Sequence, residues 1–379
     1  GLTRVVDKRM VRRDHADVFC TIEEGIKGRR AVQWRLVDEV VPPSKLEERV
    51  KAKAAELAAK SSRKAGKDGV KLTALDRKFR ADGVDYNHVK LDIDASQRLA
   101  TITVRAPEAA PPANVDAMEK LGAKFWPLET ARELDDAILH LRNNAYEVGT
   151  IVFKTEGDPA RVRAFDEFLE AQRDNWFAHE IRHYWKRVLK RIDVTSRTLV
   201  AVIEPGSCFV GTLAELAFAS DRGYMLIGSL QGDNRPPAKI ELTKLNFGAY
   251  PMSHGLTRLQ ARFLAEPAKV AELEKEIGRQ FEADEAETAG LVTYGLDDID
   301  WADEMRVFME ERTSFSPDAL TGLEANLRFA GPETMESKIF SRLTAWQNWI
   351  FQRPNAVGAE GALSRFGTGE RPVYDMRRV

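Results

Sequence analysis

The chain contains 379 residues, of which 43% are hydrophobic and 31% carry a charge. At roughly 100–200 residues per domain, this length accommodates two domains, or one large domain and part of another. The composition is typical of a chain that buries a sizeable core, and it excludes a disordered protein. No apolar run approaches the roughly 18 residues that a transmembrane helix needs, so we expect no membrane association.

The cysteines and the amino-terminal residues bear on location. The two cysteines, Cys20 and Cys208, lie far apart without CxxC spacing, which excludes a disulfide framework and a cysteine zinc site. The first residues, GLTRVVDKRM, contain no apolar signal region. These features favour a globular protein of the reducing cytoplasm.

The formal net charge of −2 conceals an uneven distribution. Residues 1–90 contain more Lys and Arg than Asp and Glu, whereas the remainder is acidic. The basic part either faces an anion such as a coenzyme phosphate or forms a solvated surface of ion pairs. No nucleic-acid-binding motif accompanies it, so we expect no nucleic-acid partner.

The sequence contains an internal repeat. GLTRV at 1–5 returns as GLTRL at 255–259, and a Leu-Val pair follows each copy, at 36–37 and at 291–292. Two landmarks at nearly matched spacing predict a duplicated unit of about 250 residues.

This repeat suggests a domain organisation. We assign residues 1–60 to the carboxyl-terminal part of a first unit, 61–88 to a linker, 89–300 to a nearly whole second unit, and 301–379 to a helical carboxyl-terminal segment. The linker includes SSRKAGKDGV, whose Ser, Gly and Lys content is typical of a connection. On this interpretation Gly1 does not begin a domain, and the chain is the truncated form of a longer protein.

Hydrophobic periodicity predicts alternating strands and helices, which indicate an α/β domain. KLEERVKAKAAELAAK at 45–60 is typical of a helix, with Glu47 and Lys51 spaced for an i,i+4 ion pair. The other predicted elements are a hairpin over 89–104, a helix over 131–144, a strand over 148–153, a long helix capped by Asp158 that starts at Pro159 and runs towards Lys190, a strand over 199–205, a helix over 211–221 and a strand over 224–228.

HEIRH at 179–183 matches the zincin motif. On a helix, His179 and His183 share a face and could bind zinc, with Glu180 as general base and Glu204 as a possible third ligand. The alternative is a charged amphipathic helix that turns the following Tyr-Trp pair towards the core. We favour that alternative, because the metzincin extension of the motif is absent, and we expect no metal.

A strand, a turn and a helix follow at 199–222, LVAVIEPGSCFVGTLAELAFASDR. Backbone N–H groups of Gly211 and Thr212, at the start of the helix, could stabilise an oxyanion. Glu215 lies one turn further on and could act as acid or base. The alternative is an ordinary helix start with a solvated glutamate.

This segment resembles the crotonase (enoyl-CoA hydratase/isomerase) superfamily stretch AAINGxxxGGGxELAxxCD, with Gly206 at the turn, Glu215 in ELA and Asp221 at its end. TKLNFGAYPMSHGLTRL resembles a second stretch, PExxLGxxPGxGGTxRL. HVKLDID and RLATITVRAPEAAPPAN resemble the opening hairpin, and RAVQWRLVDEVVP near the start resembles the end of the same fold. The resemblance covers nearly the whole chain and implies crotonase-like repeated ββα units, with tandem cores of which the first is incomplete.

The second core departs from the pattern of the superfamily. Lys244 stands where the second catalytic Glu is usual, the GGG of the oxyanion loop is altered, and the AFxxGxD loop is missing. A structural ion pair between Glu215 and Lys244 is therefore favoured over an acid–base dyad. We expect the main catalytic carboxylates upstream of Gly1, in the first core.

DVFCTIEEGIKGRRAVQWRLVDEVVP, HEIRHYWKRVLKRID and FGTGERPVYDMRRV resemble a ring-opening branch of the superfamily. The resemblance implies that 2,3-epoxy-2,3-dihydrobenzoyl-CoA receives two waters and gives 3,4-didehydroadipyl-CoA semialdehyde and formate, in aerobic CoA-dependent benzoate degradation. Coenzyme A enters as part of the substrate, no separate cofactor is implied, and a homo-oligomer is expected. The alternatives are a hydratase or isomerase of unsaturated acyl-CoA, or a non-catalytic acyl-CoA-binding scaffold.

Overall fold

The computed structural model describes residues 1–61 and 69–378. The chain divides into two compact units, residues 1–68 and 69–379, and each is described by itself. The central part of the predicted linker, residues 62–68, lies outside the described residues.

The first unit is helical where it is described. The helix predicted over 45–60 is confirmed, and Lys51 Nζ lies 2.7 Å from Glu47 Oε1 as the i,i+4 spacing indicates. The few buried apolar side chains are Val11, Ala16 and Ala31. The helices are α1 (Arg13–Thr21), α2 (Gly28–Gln33) and α3 (Leu46–Ala59), with a π-helical turn at Arg4–Lys8 and a 3-10 turn at Pro43–Lys45.

The second unit is built on an eight-stranded sheet, with a separate three-stranded sheet beside it. The first four strands pair antiparallel and the later strands of the large sheet pair parallel. The large sheet contains, in order across it, β1 (Lys78–Arg80), β2 (Gly83–Asp85), β3 (Val89–Asp94), β4 (Leu99–Arg105), β5 (Thr150–Glu156), β6 (Thr198–Ile203), β8 (Arg222–Leu226) and β11 (Tyr294–Leu296). The small sheet contains β10 (Gln280–Phe281), β9 (Ile240–Glu241) and β7 (Phe209–Val210).

Fourteen α-helices of the second unit fall within the described residues. They are α4 (Val115–Leu121), α5 (Trp126–Asn144), α6 (Pro159–Ala171), α7 (Trp176–Asp193), α8 (Ala214–Ala219), α9 (Arg258–Arg262), α10 (Pro267–Glu274), α11 (Ala283–Thr288), α12 (Trp301–Ser314), α13 (Pro317–Leu327), α14 (Met335–Ser337), α15 (Thr344–Ile350), α16 (Pro354–Val357) and α17 (Ala362–Arg365). Shorter turns are 3-10 at Gly122–Lys124 and Lys244–Phe247, and π-helical at Lys338–Leu343.

The predicted hairpin over 89–104 is confirmed as β3 and β4, which pair from Val89 with Val104 to Asp94 with Leu99. The sheet nevertheless begins earlier, because β1 and β2 lie inside the range 61–88 that we assigned to a linker. These strands are short and β1 is largely exposed, so their sequence lacks the apolar alternation that marks a half-buried strand.

The helix predicted from Pro159 towards Lys190 is wrong as a single helix. The Asp158 side chain caps its start as expected, accepting from Ala160 N at 2.8 Å. The helix ends after α6, and α7 begins afresh where the side chain of Asn175 accepts hydrogen bonds from two following backbone N–H groups. An Asn that caps a helix start satisfies N–H groups that lack intrahelical partners, which is the physical reason for the break.

The large sheet buries both of its faces in its parallel half. One face joins the main core through Ile151, Phe153, Leu199, Ala201 and Ile203. The other face packs against α12, in a cluster formed by Val152, Val200, Val202, Tyr224, Leu226, Trp301 and Phe308. The alternation of side chains along each strand produces these two clusters.

The sequence repeat is also a repeat of local structure. Helical segments begin in the first copy at Arg4, Arg13 and Gly28, and in the second at Arg258, Pro267 and Ala283. In each copy the Leu-Val pair donates two backbone hydrogen bonds to one Ala carbonyl: Leu36 N (2.9 Å) and Val37 N (3.4 Å) to Ala31 O, and Leu291 N (2.8 Å) and Val292 N (3.4 Å) to Ala286 O.

Candidate functional site

The candidate site lies where the parallel strands end at their carboxyl edge. The fully buried β6 runs into a turn at Gly206, passes through β7 and reaches α8. At Gly211, φ is +47°, and a Cβ built there would lie 1.9 Å from Asp166 Oδ2. Glycine is required at this position both by the left-handed backbone and by the close approach of α6.

Glu215 lies on α8 with only 1% of its surface exposed. Its carboxylate accepts hydrogen bonds from Arg258 Nη1 at 2.9 Å and from Asn246 Nδ2 at 2.8 Å. Burial raises the pKa of Glu215, against the opposing effect of the Arg258 charge. A carboxylate with these partners is stabilised as a structural ion.

Arg258 is equally buried and joins Glu215 to a second carboxylate. Its Nη2 and Nε lie 2.7 and 3.1 Å from the oxygens of Asp193, on α7. Burial acts to lower the pKa of this guanidinium, but the charges of the two carboxylates raise it, and Asp193 contributes more than Glu215. The cation therefore ties α7, α8 and α9 together through paired buried charges, the arrangement that buried ions need.

The predicted ion pair between Glu215 and Lys244 is wrong. The Lys244 side chain is 63% exposed, and its Nζ lies 3.8 Å from Glu170. Arg258 takes the place that we assigned to Lys244, because its planar guanidinium bonds both buried carboxylates at once. The sequence signal for this residue was present, since Arg258 is the arginine of the repeated GLTR motif.

The expectation that Gly211 and Thr212 offer free N–H groups to an oxyanion is also corrected. Gly211 N donates to Glu241 O at 2.9 Å, and Thr212 N donates to Asp166 Oδ2 at 2.8 Å. Both donors are therefore engaged within the protein. A side-chain carboxylate fills the position next to Thr212 where an oxyanion would bind.

Asp166 is the functional-site residue that sequence reasoning missed. It is 2% exposed and also accepts from the hydroxyls of Thr212 at 2.7 Å and Thr243 at 2.9 Å. Burial raises its pKa to about 7, although these hydrogen bonds act in the opposite direction. A sequence signal existed, because Asp166 interrupts the buried apolar stripe formed by Val162, Phe165 and Leu169 on α6.

A pocket of about 570 Å³ adjoins this network. Asp166 and Lys244 line it together with charged side chains of α6. Arg163 there is paired with Glu241, and Lys244 lies near Glu170. The lining contains five acidic and three basic residues, so the pocket is acidic overall.

The HEIRH segment lies on α7, with His179 and His183 exposed and Ile181 buried. His179 and His183 place their Nε2 atoms 2.9 Å apart, while Glu204 pairs instead with Lys154 Nζ at 2.7 Å. Trp185 is buried, as the amphipathic alternative predicts. Across residues 1–61 and 69–378, no group of three or more His, Cys, Asp or Glu side chains is placed to hold a metal ion.

None of the described helices combines the length and the apolar character needed to cross a membrane. No family profile matches the chain.

Solved structures identify the fold. An enoyl-CoA hydratase from Geobacillus kaustophilus HTA426 superposes with a TM-score of 0.54 at 15% identity, covering 80% of this chain and all of that one. An enoyl-CoA hydratase/isomerase from Marinobacter aquaeolei gives a TM-score of 0.51 at 18% identity, covering 75% of this chain and 98% of that one. The fold is therefore that of the crotonase class, with mixed α/β units and a helical carboxyl-terminal segment.

A curated relative shows to which family within the crotonase class the chain belongs. All 379 residues align at 52% identity with the benzoyl-CoA-dihydrodiol lyase of Aromatoleum evansii, and the match spans 67% of that protein. The chain belongs to the benzoyl-CoA-dihydrodiol lyase family.

Proposed function

We propose that this protein is a lyase that opens the ring of 2,3-epoxy-2,3-dihydrobenzoyl-CoA. Two waters are added, and the products are 3,4-didehydroadipyl-CoA semialdehyde and formate, as in aerobic CoA-dependent benzoate degradation. The observation that carries the proposal is the 52% identity along the whole chain to a protein named benzoyl-CoA-dihydrodiol lyase. The crotonase-class fold supports it, because that fold suits chemistry on a CoA thioester.

The reaction places clear demands on the site. Two N–H groups must hold the thioester oxygen so that charge developing there is stabilised. Carboxylates beside it must activate water and protonate the epoxide oxygen. The coenzyme A part of the substrate supplies the thioester, so the proposal includes no separate cofactor.

The second core does not meet these demands with its own residues. Asp166 occupies the donor at Thr212, and Glu215 is engaged by Arg258. We therefore propose that the main catalytic carboxylates lie upstream of Gly1, in the first core. The second core then has a structural role, and we further propose a homo-oligomer in the cytoplasm.

Formate release from 2,3-epoxybenzoyl-CoA tests the proposal. Two proteins are compared after circular dichroism has shown each to be folded: the 379-residue chain, and the same chain extended at its amino end by the corresponding part of the Aromatoleum evansii relative. The relative itself is the positive control. We expect formate from the extended protein and from the control, and none from the 379-residue chain.

The other outcomes contradict separate parts of the proposal. Formate from the 379-residue chain would refute the upstream position of the carboxylates and return attention to Glu215. A folded but silent extended protein, beside an active control, would refute the ring-opening function itself.

A further inference from the structure

An arginine-lined pocket lies at the opposite edge of the large sheet from the candidate site. It adjoins the amino ends of β5 and β6, whereas Gly206 and Gly211 follow the carboxyl end of β6. Its volume is about 420 Å³. We call it the arginine pocket; its basic lining residues are Arg142, Arg197, Arg353, Arg377 and Arg378.

Arg197 is the most unusual of these residues. Its side chain is 1% exposed, yet its Nε and Nη2 have no hydrogen-bond partner among the described residues. Only Nη1 is engaged, donating to Ser196 O at 2.8 Å and to Ser196 Oγ at 3.4 Å. A buried guanidinium with two unpaired nitrogens is costly, because charges in protein interiors need partners.

The neighbouring cations intensify the imbalance. Arg378 is also buried, and its Nη2 lies 2.5 Å from Glu324 Oε2, while its Nε has no partner. The side chain of Arg142, on α5, makes no hydrogen bond or ion pair with any described residue. Burial first, and then the charges of Arg378 and Arg142, lower the pKa of Arg197 to about 10.

Carboxylates balance only part of this charge. Asp375 binds Arg377, Asp318 binds Arg353, and Glu324 binds Arg378. Within the described part of the chain, Arg142 and Arg197 are left without a carboxylate partner. Counted over the described residues alone, the pocket thus carries two positive charges in excess.

We propose that the arginine pocket binds a phosphate group. A phosphate dianion matches the excess charge, and its tetrahedral oxygens suit the planar fork of donors that a guanidinium presents. The pocket is large enough to hold the phosphate together with part of an organic group that carries it. This site is independent of the ring-opening function, since it lies at the other edge of the sheet.

Binding is measured by calorimetry and by thermal unfolding of the 379-residue chain, at constant ionic strength, with inorganic phosphate and with adenosine monophosphate as probes. We expect both to bind and to raise the unfolding temperature. Arg142→Gln and Arg197→Met each remove one charged donor. Loss of such a contact should raise the dissociation constant by about tenfold or more. Arg306→Gln, an exposed arginine paired with Glu310, is the control and leaves binding unchanged.

Arg197→Met is also expected to unfold at the same or a higher temperature than the wild type when phosphate is absent, because it removes an unpaired buried charge. If that variant fails to fold, the Arg142→Gln variant still tests the proposal, because Arg142 is only half-buried. Similar affinity for the two probes identifies free phosphate as the ligand, and tighter binding of the nucleotide identifies an organic phosphate. The proposal is overturned if neither probe binds the wild type, or if the two variants bind as tightly as Arg306→Gln.

Discussion

Glu215 accepts a hydrogen bond from Arg258 Nη1 at 2.9 Å, and the remaining donors of that guanidinium reach Asp193. One guanidinium is therefore shared by two buried carboxylates that lie on different helices. A glutamate in a motif associated with catalysis is thus engaged by partners within the protein.

Removal of this cation should destabilise the protein strongly. We expect Arg258→Met to lower the free energy of unfolding by about 3–5 kcal/mol, because two carboxylates are left buried without a counter-ion. Urea unfolding followed by circular dichroism measures the loss. Arg279→Gln, at a half-exposed surface pair, should change stability by no more than about 0.5 kcal/mol.

The variant Glu215→Gln, made in the extended protein, distinguishes a structural role of Glu215 from a catalytic one. We expect formate release per folded molecule to remain, with a reduced free energy of unfolding. Loss of formate release at unchanged stability would assign a catalytic role to Glu215.

Asp166 should make stability depend on pH. Its folded pKa is raised to about 7, above the ordinary value of 3.8, so the stability that its protonated form provides is full below pH 4 and is lost as pH rises through about 7. Between these limits, wild-type stability should fall relative to Asp166→Asn by up to about 1.4 kcal/mol per pH unit. Urea unfolding of both proteins at pH 5, 6, 7 and 8 gives this difference.

The comparison of the two proteins cancels the effect of other groups. Burial also raises the pKa of Glu133 to about 7, but Glu133 is present in both. A difference in stability that does not vary with pH would show that Asp166 keeps an ordinary pKa.

Gly211 should tolerate no side chain. In Gly211→Ala the new Cβ would lie 1.9 Å from Asp166 Oδ2 and 2.4 Å from Thr243 Oγ1, and we expect a loss of more than about 3 kcal/mol in the free energy of unfolding. Gly232→Ala is the matched control, since its φ is +87° but nothing lies within 4 Å of the added Cβ. There we expect only the cost of the left-handed backbone, about 1–2 kcal/mol. Equal losses in the two variants would contradict the close packing at Gly211.

The carboxyl-terminal segment should form a contact between copies of the chain. Met335 is 73% and Phe340 is 78% exposed, and large exposed apolar side chains are typical of an interaction surface when they form a patch. We expect light scattering during size-exclusion chromatography to show an oligomer that Phe340→Asp disrupts. Ile299→Asp, an equally exposed site at 81%, should leave the mass unchanged. A wild-type monomer would contradict the interface.

The order of strands and helices was largely predictable, because apolar periodicity follows from which face each element buries. The hairpin at β3 and β4 and the helix α3 appear as predicted. The break before α7 was missed, since one Asn cap outweighs a continuous amphipathic pattern. The strands β1 and β2 were missed because each has only three residues, too few to show an apolar alternation.

The candidate site was less predictable, for reasons of distance along the chain. Glu215 is recognisable from its motif, but its partner Arg258 lies 43 residues further along the chain. Asp166 lies 46 residues before Thr212, and nothing local distinguishes it from a surface acid except its place in an apolar stripe. Pairings of this kind are set by packing, which a single sequence does not display.

The bond between Asp166 and Thr212 has a consequence for ligand competition. A carboxylate carried on the same polypeptide acts at a high effective concentration, because it pays no cost of diffusion or orientation when it returns to its donors. A free acyl-CoA would have to displace this tethered anion before it could reach the Thr212 N–H. Substrate analogues that bind crotonase-type oxyanion sites should therefore not bind the second core. The number of inhibitor molecules bound per chain should then be smaller than the number of repeated units.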